Sequence, residues 1–138
     1  MSNSPAGTVV SESVKQALFL RALASHLTAN PDLCPVNVCD SLDRPVLQLR
    51  AWHSDDVARD LARWAESLPD SHLRVESIEG MAFVSVEAAL FRHELSVWTT
   101  VPGLLEVLGD VDHFPPGKHP LALEVLRAYA GVEPGEAA

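Results

Sequence analysis

A block of thirty residues, His72 to Val101, constrains the fold of this chain more than any other part of it. Apolar and polar residues mostly alternate along the block, and Glu79-Gly80 interrupts the alternation near its middle. A period of two is typical of strands that bury one face. We therefore predict three consecutive strands, at about Leu73–Ile78, Met81–Ala88 and His93–Val101.

Helical patterns lie on both sides of this block. The first predicted helix runs from Glu12 to Ala29 and ends because the residue before a proline avoids the helical region. The second has Ser54 as its predicted N-cap and carries one apolar stripe, from Val57 to Leu68. The third is predicted from about Pro120 to Ala130, with proline at its first position and Gly131 after its end.

Two shorter strands are predicted between the first two helices, one around Val36 and Val38 and one from Val46 to Trp52. The predicted order is therefore α-β-β-α-β-β-β-α, an α+β fold whose five-stranded, mainly antiparallel sheet is packed by helices. We expect a single domain over residues 12–131, and flexible tails at residues 1–11 and 132–138.

Two segments carry more apolar surface than one buried face requires. Residues 17–20 of the first helix are apolar on nearly all sides, which is typical of a helix that is sandwiched or paired. The middle strand has Met81 and Phe83 on one face and Val84 and Val86 on the other. We expect that strand to be central and covered on both sides.

The charge of the chain argues against two classes of partner. Nineteen carboxylates against ten basic residues give a net charge of −9. A surface of this sign repels phosphate backbones and anionic membranes, so we expect neither nucleic acid nor membrane as a partner. It solubilises the chain and could also attract a basic protein.

Cysteine usage and the N-terminal sequence bear on location. Only Cys34 and Cys39 are present, too few for a disulfide framework, and no secretory signal is visible. We expect a reduced, cytoplasmic protein. The excess of arginine over lysine, with abundant alanine, valine and leucine, fits a bacterial source with a GC-rich genome.

Evidence for chemistry is weak. Asp110, Asp112 and His113 form the one compact cluster of acids with imidazole, and His119 lies close in sequence. Such residues can hold a divalent ion or provide a general base, but a solvated loop rich in turn residues explains the same sequence and is the preferred interpretation. No phosphate-binding or nucleophile motif is present, so we predict no metal and no cofactor.

The placement of aromatic residues indicates binding. Trp98 is in phase with Ser96 and Thr100, and Trp52 with Gln48 and Arg50, so both indoles are predicted on the more polar face of the sheet. Tryptophan is enriched at binding hot spots, although a covering helix would explain the same pattern. We predict a homodimer, with a seam at the tryptophans or along the last helix, where the candidate residues are Leu121, Val125, Leu126 and Tyr129.

In size, acidity and alternation of helices with a small sheet, the chain resembles small secretion-chaperone-like proteins, although two strands rather than three precede the second helix. The first functional hypothesis is a non-enzymatic adaptor, chaperone-like protein or inhibitor that binds a protein partner through an apolar, aromatic surface. The alternative is a small-molecule-binding or hydrolytic domain with a site near the Asp110–His119 loop. An enzyme should show a pocket with convergent ionisable groups, and an adaptor a flat or grooved apolar surface.

Overall fold

A computed structural model describes residues 11–42, 44–50 and 56–131. These residues form one small α+β domain in which four helices accompany a six-stranded mixed sheet. In chain order the elements are α1 (Glu12–Ala29), β1 (Val36–Asp40), β2 (Val46–Leu49), α2 (Val57–Ser67), β3 (His72–Ile78), β4 (Met81–Leu90), β5 (His93–Thr100), α3 (Leu104–Leu108), a 3-10 turn (Val111–His113), β6 (Lys118–Leu121) and α4 (Leu123–Ala130).

The boundaries of α1 are those predicted. The Ser11 side chain accepts a hydrogen bond from the backbone N–H of Val14 and so caps the first turn. The helix ends at Ala29, before Asn30-Pro31. α2 begins at Val57, with Asp56 in the cap position. Ser54 and Trp52 lie outside the described residues, as do nearly all the residues of the predicted tails.

The strands lie in the order β1-β2-β5-β4-β3-β6. Four of the five pairings are antiparallel and only β2 with β5 is parallel, so the mainly antiparallel sheet is confirmed. The three-strand meander of the central block is confirmed as well, as β3, β4 and β5.

The predicted five-stranded sheet is approximately right, and β6 adds a sixth strand from residues predicted as loop and as the start of the last helix. Pro120 lies within β6, opposite Arg74 of β3, and α4 begins only at Leu123. β6 is an edge strand, the position in a sheet where the missing N–H of a proline is tolerated. A proline can occupy the first position of a helix or a position in an edge strand. Over four residues the sequence pattern does not distinguish the two.

One face of the sheet carries the hydrophobic core. The inward side chains of the central strands are buried beneath the helices, and Phe19 of α1, Trp64 of α2 and Leu126 of α4 are fully buried against them. The indole N–H of Trp64 donates to the Cys34 carbonyl oxygen at 2.9 Å, so its polar atom is satisfied. No described helix is long and apolar enough to cross a membrane.

Candidate interaction surface

The other face of the sheet is the candidate site, and we call it the open face. Its outward side chains on β3, β4 and β5 are all exposed or half-buried, since the described helices pack on the opposite side. The prediction that β4 is covered on both sides is therefore wrong for the described part of the chain. β4 is central in the sheet, but Met81 is 42% exposed and Phe83 is half-buried.

An aromatic pair lies near the middle of the open face. Trp98 of β5 stacks on Phe83 of β4, with ring centroids 5.7 Å apart and planes inclined by 25°. The predicted outward direction of Trp98 is confirmed, because alternation places it opposite the buried Val97 and Thr99. Both rings remain partly exposed, so they present apolar surface to the solvent.

A shallow recess adjoins this pair because small residues stand beside large ones. Ser85 lies between Trp98 and Arg74 in the strand register, and Ser96 precedes Trp98 on the same face. The recess has a volume of about 260 Å³, with Trp98, Phe83 and Arg74 among its walls. A side chain of ordinary size could lie in it against the two rings.

Charged residues border the recess in paired form. Glu87 of β4 accepts from Arg74 Nε at 3.1 Å through one carboxylate oxygen, and its other oxygen lies 3.7 Å from Lys118 Nζ. The carboxylate thus joins three neighbouring strands. All three groups retain solvent exposure, so the interaction orients the side chains more than it stabilises the fold.

A larger groove adjoins the recess and shares Val46, Ser96 and Lys118 with it. Its volume is about 540 Å³, within the range of small-molecule sites. Its walls combine prolines and alanines with ionisable groups of both signs, including Arg44, Asp70, His72, Glu87 and Glu94. Arg44 and Glu94 approach only to 3.9 Å and are well exposed.

The polar side chains of the Asp110–His119 loop form hydrogen bonds within the loop itself. Asp110 Oδ2 accepts from His113 Nδ1 at 2.6 Å, and its other oxygen accepts from the backbone N–H of Asp112, so Asp110 caps the 3-10 turn. His119 Nε2 donates instead to the carbonyl oxygens of Pro115 and Pro116. No group of three or more potential metal ligands occurs within the described residues.

The residues predicted as an interface along the last helix pack within the subunit, with Leu121 at the end of β6 and Val125, Leu126 and Tyr129 on α4. Leu126 is fully buried and Leu121 nearly so, while Val125 and Tyr129 are half-buried and pack against the core. The Tyr129 hydroxyl donates to the Pro102 carbonyl oxygen, which ties α4 to the turn after β5. Of the predicted interface residues that the structure describes, Trp98 alone lies on the open face.

Among the described residues, burial shifts the pKa of His26 and of Asp60, and both groups lie on helices rather than on the open face. It lowers the pKa of His26, whose ring contacts Ser67 and Trp64 between α1 and α2. It raises the pKa of Asp60 on α2, where Arg63 and Arg59 act in the opposite direction and Asp56 in the same one. Neither group faces the recess or the groove.

Sequence reasoning missed three parts of the open face. Phe83 was visible in phase with Met81 but was assigned to a covered side. Glu87 was not singled out, because only the register shows that it lies beside Arg74. Lys118 was missed together with its strand.

No protein-family model, no curated protein and no solved structure matches this chain.

Proposed function

We propose that this protein is a non-enzymatic interaction module that binds a protein partner through the open face. The observation that carries the proposal is the half-exposed Trp98–Phe83 stack on a sheet face that the described elements leave uncovered. Aromatic side chains bordered by charged ones are the usual composition of a binding hot spot and its rim. An adaptor, a chaperone-like protein and an inhibitor would all act in this way.

The proposal includes self-association, with a second copy of the chain as one partner in a homodimer. Apolar side chains remain exposed on α1 as well as on the sheet, which supports more than one contact. It also includes a reducing, cytoplasmic setting. A chain with two cysteines has no disulfide framework, which is typical of proteins in that setting.

A photo-crosslinking residue tests the proposal directly. Placed at Gln48, which neighbours Trp98 in the register, it should react with a specific protein in an extract of the native cells. The same probe at Glu124, which is exposed on α4, is the matched control. The adduct at position 48 should be lost when Trp98→Ala is added and should be absent at position 124.

A second candidate function rests on the groove beside the recess. Its volume and its ionisable walls satisfy the criterion for a small-molecule site, although its centre lies away from Asp110 and His113. Native mass spectrometry of the purified chain distinguishes the two functions. A retained small molecule that is lost on Glu87→Gln, together with no protein adduct at position 48, would replace the first proposal by the second.

A further inference from the structure

The two edges of the sheet differ in how well they are protected from pairing with another strand. β1 and β6 are the outermost strands, and among the described residues no strand lies beyond either of them. β6 carries Lys118 and Pro120, two residue types that keep a sheet edge from pairing. β1 contains neither type, and its side chains are all exposed or half-buried. Its bulge comes after Val38, so residues 36–38 form a regular edge.

The backbone of β1 presents hydrogen-bonding groups at this edge. The N–H of Arg50 donates to the Pro35 carbonyl oxygen at 3.0 Å, so these two residues are a hydrogen-bonded pair of the β1–β2 ladder. In an antiparallel ladder such pairs alternate with pairs that are not hydrogen-bonded. By the register, Asn37 therefore bonds to β2, and the backbone N–H and C=O groups of Val36 and Val38 point away from the sheet.

The first helix lies along the same edge. Near its start, Gln16 donates to the hydroxyl of Ser41, just after the end of β1. Near its end, the ring of His26 contacts Trp64, and the Trp64 indole N–H donates to the Cys34 carbonyl oxygen just before β1 begins. These two attachments place α1 beside β1 and antiparallel to it, on the side of the sheet that carries the core.

Apolar side chains remain exposed along this edge. Leu20 follows Gln16 by four residues, so it lies on the same side of α1, one turn further along, and it is 41% exposed. Val38 is also 41% exposed, although its register partner on β2 is the fully buried Leu47. The core side of the sheet therefore stays incompletely covered beneath β1.

From this edge we propose that two copies of the chain join through β1, antiparallel about a two-fold axis at Asn37, to form one continuous sheet. Val36 of each copy would pair with Val38 of the other, and each of these two pairs would exchange two backbone hydrogen bonds. The outward groups of both strands would then be satisfied. This inference rests on the self-association proposed above and supplies its geometry.

A second copy fits this edge better than an isolated extended peptide, because it brings α1 as well as a strand. A peptide would satisfy the backbone of β1 but leave Leu20 exposed. A second copy places the two α1 helices side by side beneath the joined strands, where Leu20 and Val38 of both copies lose exposure to water. Since β6 is protected, pairing stops at two copies instead of continuing as an open chain.

The carboxylate of β1 does not oppose its own copy across this seam. In the proposed register Asp40 lies opposite Cys34 of the other copy, and the two Asp40 residues are six positions apart along the strands. That separation is about 20 Å, beyond the screening length of about 8 Å at physiological salt.

An engineered disulfide tests the register. Cys34→Ser with Cys39→Ser removes both native cysteines. Asn37→Cys in this background places a thiol on the axis, where the two Cα atoms of a non-hydrogen-bonded pair are about 4.5 Å apart and within disulfide range. Mild oxidation should convert most of the chain into a covalent dimer on a non-reducing gel. The matched control is Gln48→Cys, one strand further in and about 15 Å from its counterpart, which should stay uncrosslinked.

Association in solution tests the same seam. Val38→Pro removes an outward N–H without removing a bond of the β1–β2 ladder, and Leu20→Glu places a carboxylate beneath the edge. Each should raise the dimer dissociation constant about tenfold or more by analytical ultracentrifugation. The matched control is Leu18→Glu, on the same helix and 46% exposed but about 200° around its axis, which should associate like the wild type. Circular dichroism should show each variant folded.

Three results overturn the inference. One is a wild type that stays monomeric from micromolar to millimolar concentration. Another is a disulfide that forms equally well at positions 37 and 48, or at neither while the wild type associates. The third is a wild-type dimer that neither Val38→Pro nor Leu20→Glu weakens.

A photo-crosslinking residue at Asn37 in the purified chain identifies the occupant of the edge. A link to a second copy supports the inference, whereas a link within one chain to residues 1–10 overturns it and assigns the edge to that segment. The test at Gln48 with cell extract is independent. A monomeric wild type with an intact Trp98-dependent protein adduct would refute the β1 dimer and leave the interaction module standing.

Discussion

The two faces of the sheet share one backbone, yet they differ in what their side chains contact. Under the helices, Val84, Val86 and Val97 are fully buried and Trp64 has its one polar atom satisfied. On the open face, Ser85, Glu87 and Trp98 alternate with those valines and keep contact with solvent. Adjacent residues of one strand therefore differ in role: those on one side stabilise the core, and those on the other are the ones to which the proposed function assigns partner binding.

The largest expected effect compares two neighbours on β4. Val84→Asp places a carboxylate in the dry core and should cost about 4 kcal/mol or more of unfolding free energy, a large part of the stability of such a domain. Ser85→Asp places the same group on the open face beside Arg74 and should change stability by less than about 1 kcal/mol. Urea denaturation of both variants checks the difference. Equal losses would mean that the open face is covered.

The two described tryptophans give the next comparison. Trp64→Ala removes a fully buried side chain and should cost about 3–5 kcal/mol. Trp98→Ala removes a half-exposed ring and its stack on Phe83, at a cost of about 0.5–1.5 kcal/mol. Stability measured by denaturation, set beside the protein adduct formed at position 48, separates folding from binding. If Trp98→Ala proved as destabilising as Trp64→Ala, its effect on binding could not be attributed to recognition.

The smallest expected effect is a pH dependence of the free energy of unfolding, and it arises from His26 between α1 and α2. Ser67 Oγ donates to the Trp64 carbonyl oxygen, so it accepts from His26 Nε2–H, a hydrogen bond that the neutral and the protonated ring can both make. Burial lowers the pKa of His26 below its ordinary value of 6.5. Between the lowered pKa and about 6.5, the unfolded chain binds a proton that the folded chain does not, so the free energy of unfolding falls as the pH drops through this window.

Comparing His26→Gln with the wild type isolates that contribution. The glutamine amide can donate to Ser67 but does not titrate, so the variant should lose less stability than the wild type between neutral and mildly acidic pH. Below the lowered pKa the two curves should run parallel. Curves parallel over the whole range would show that His26 protonates as easily in the fold as in the unfolded chain.

The two hairpins of the meander show where sequence signals suffice and where they do not. Both turns have two residues with positive φ, Glu79-Gly80 and Phe91-Arg92. Gly80 allows the first turn to be predicted from the sequence, since glycine adopts positive φ without strain. The second turn carries no such signal, because phenylalanine and arginine rarely adopt positive φ, and only the pairing of β4 with β5 holds them there.

The sequence by itself determined the elements whose periodicity is long and regular. Apolar spacing and local caps set α1, the core of α2 and the three meander strands, because these signals depend on residues close in the chain. The outward direction of Trp98 followed from alternation alone, since successive side chains of a strand point to opposite faces.

Tertiary structure decided which surfaces remain open. Periodicity identifies the two faces of β4, but it does not show whether one face or both are covered by other elements. The pattern of β4 alone therefore could not predict that Phe83 stacks on Trp98 at a partly exposed position. The four residues of β6 become a strand only by pairing with β3, and that pairing brings Lys118 to Glu87.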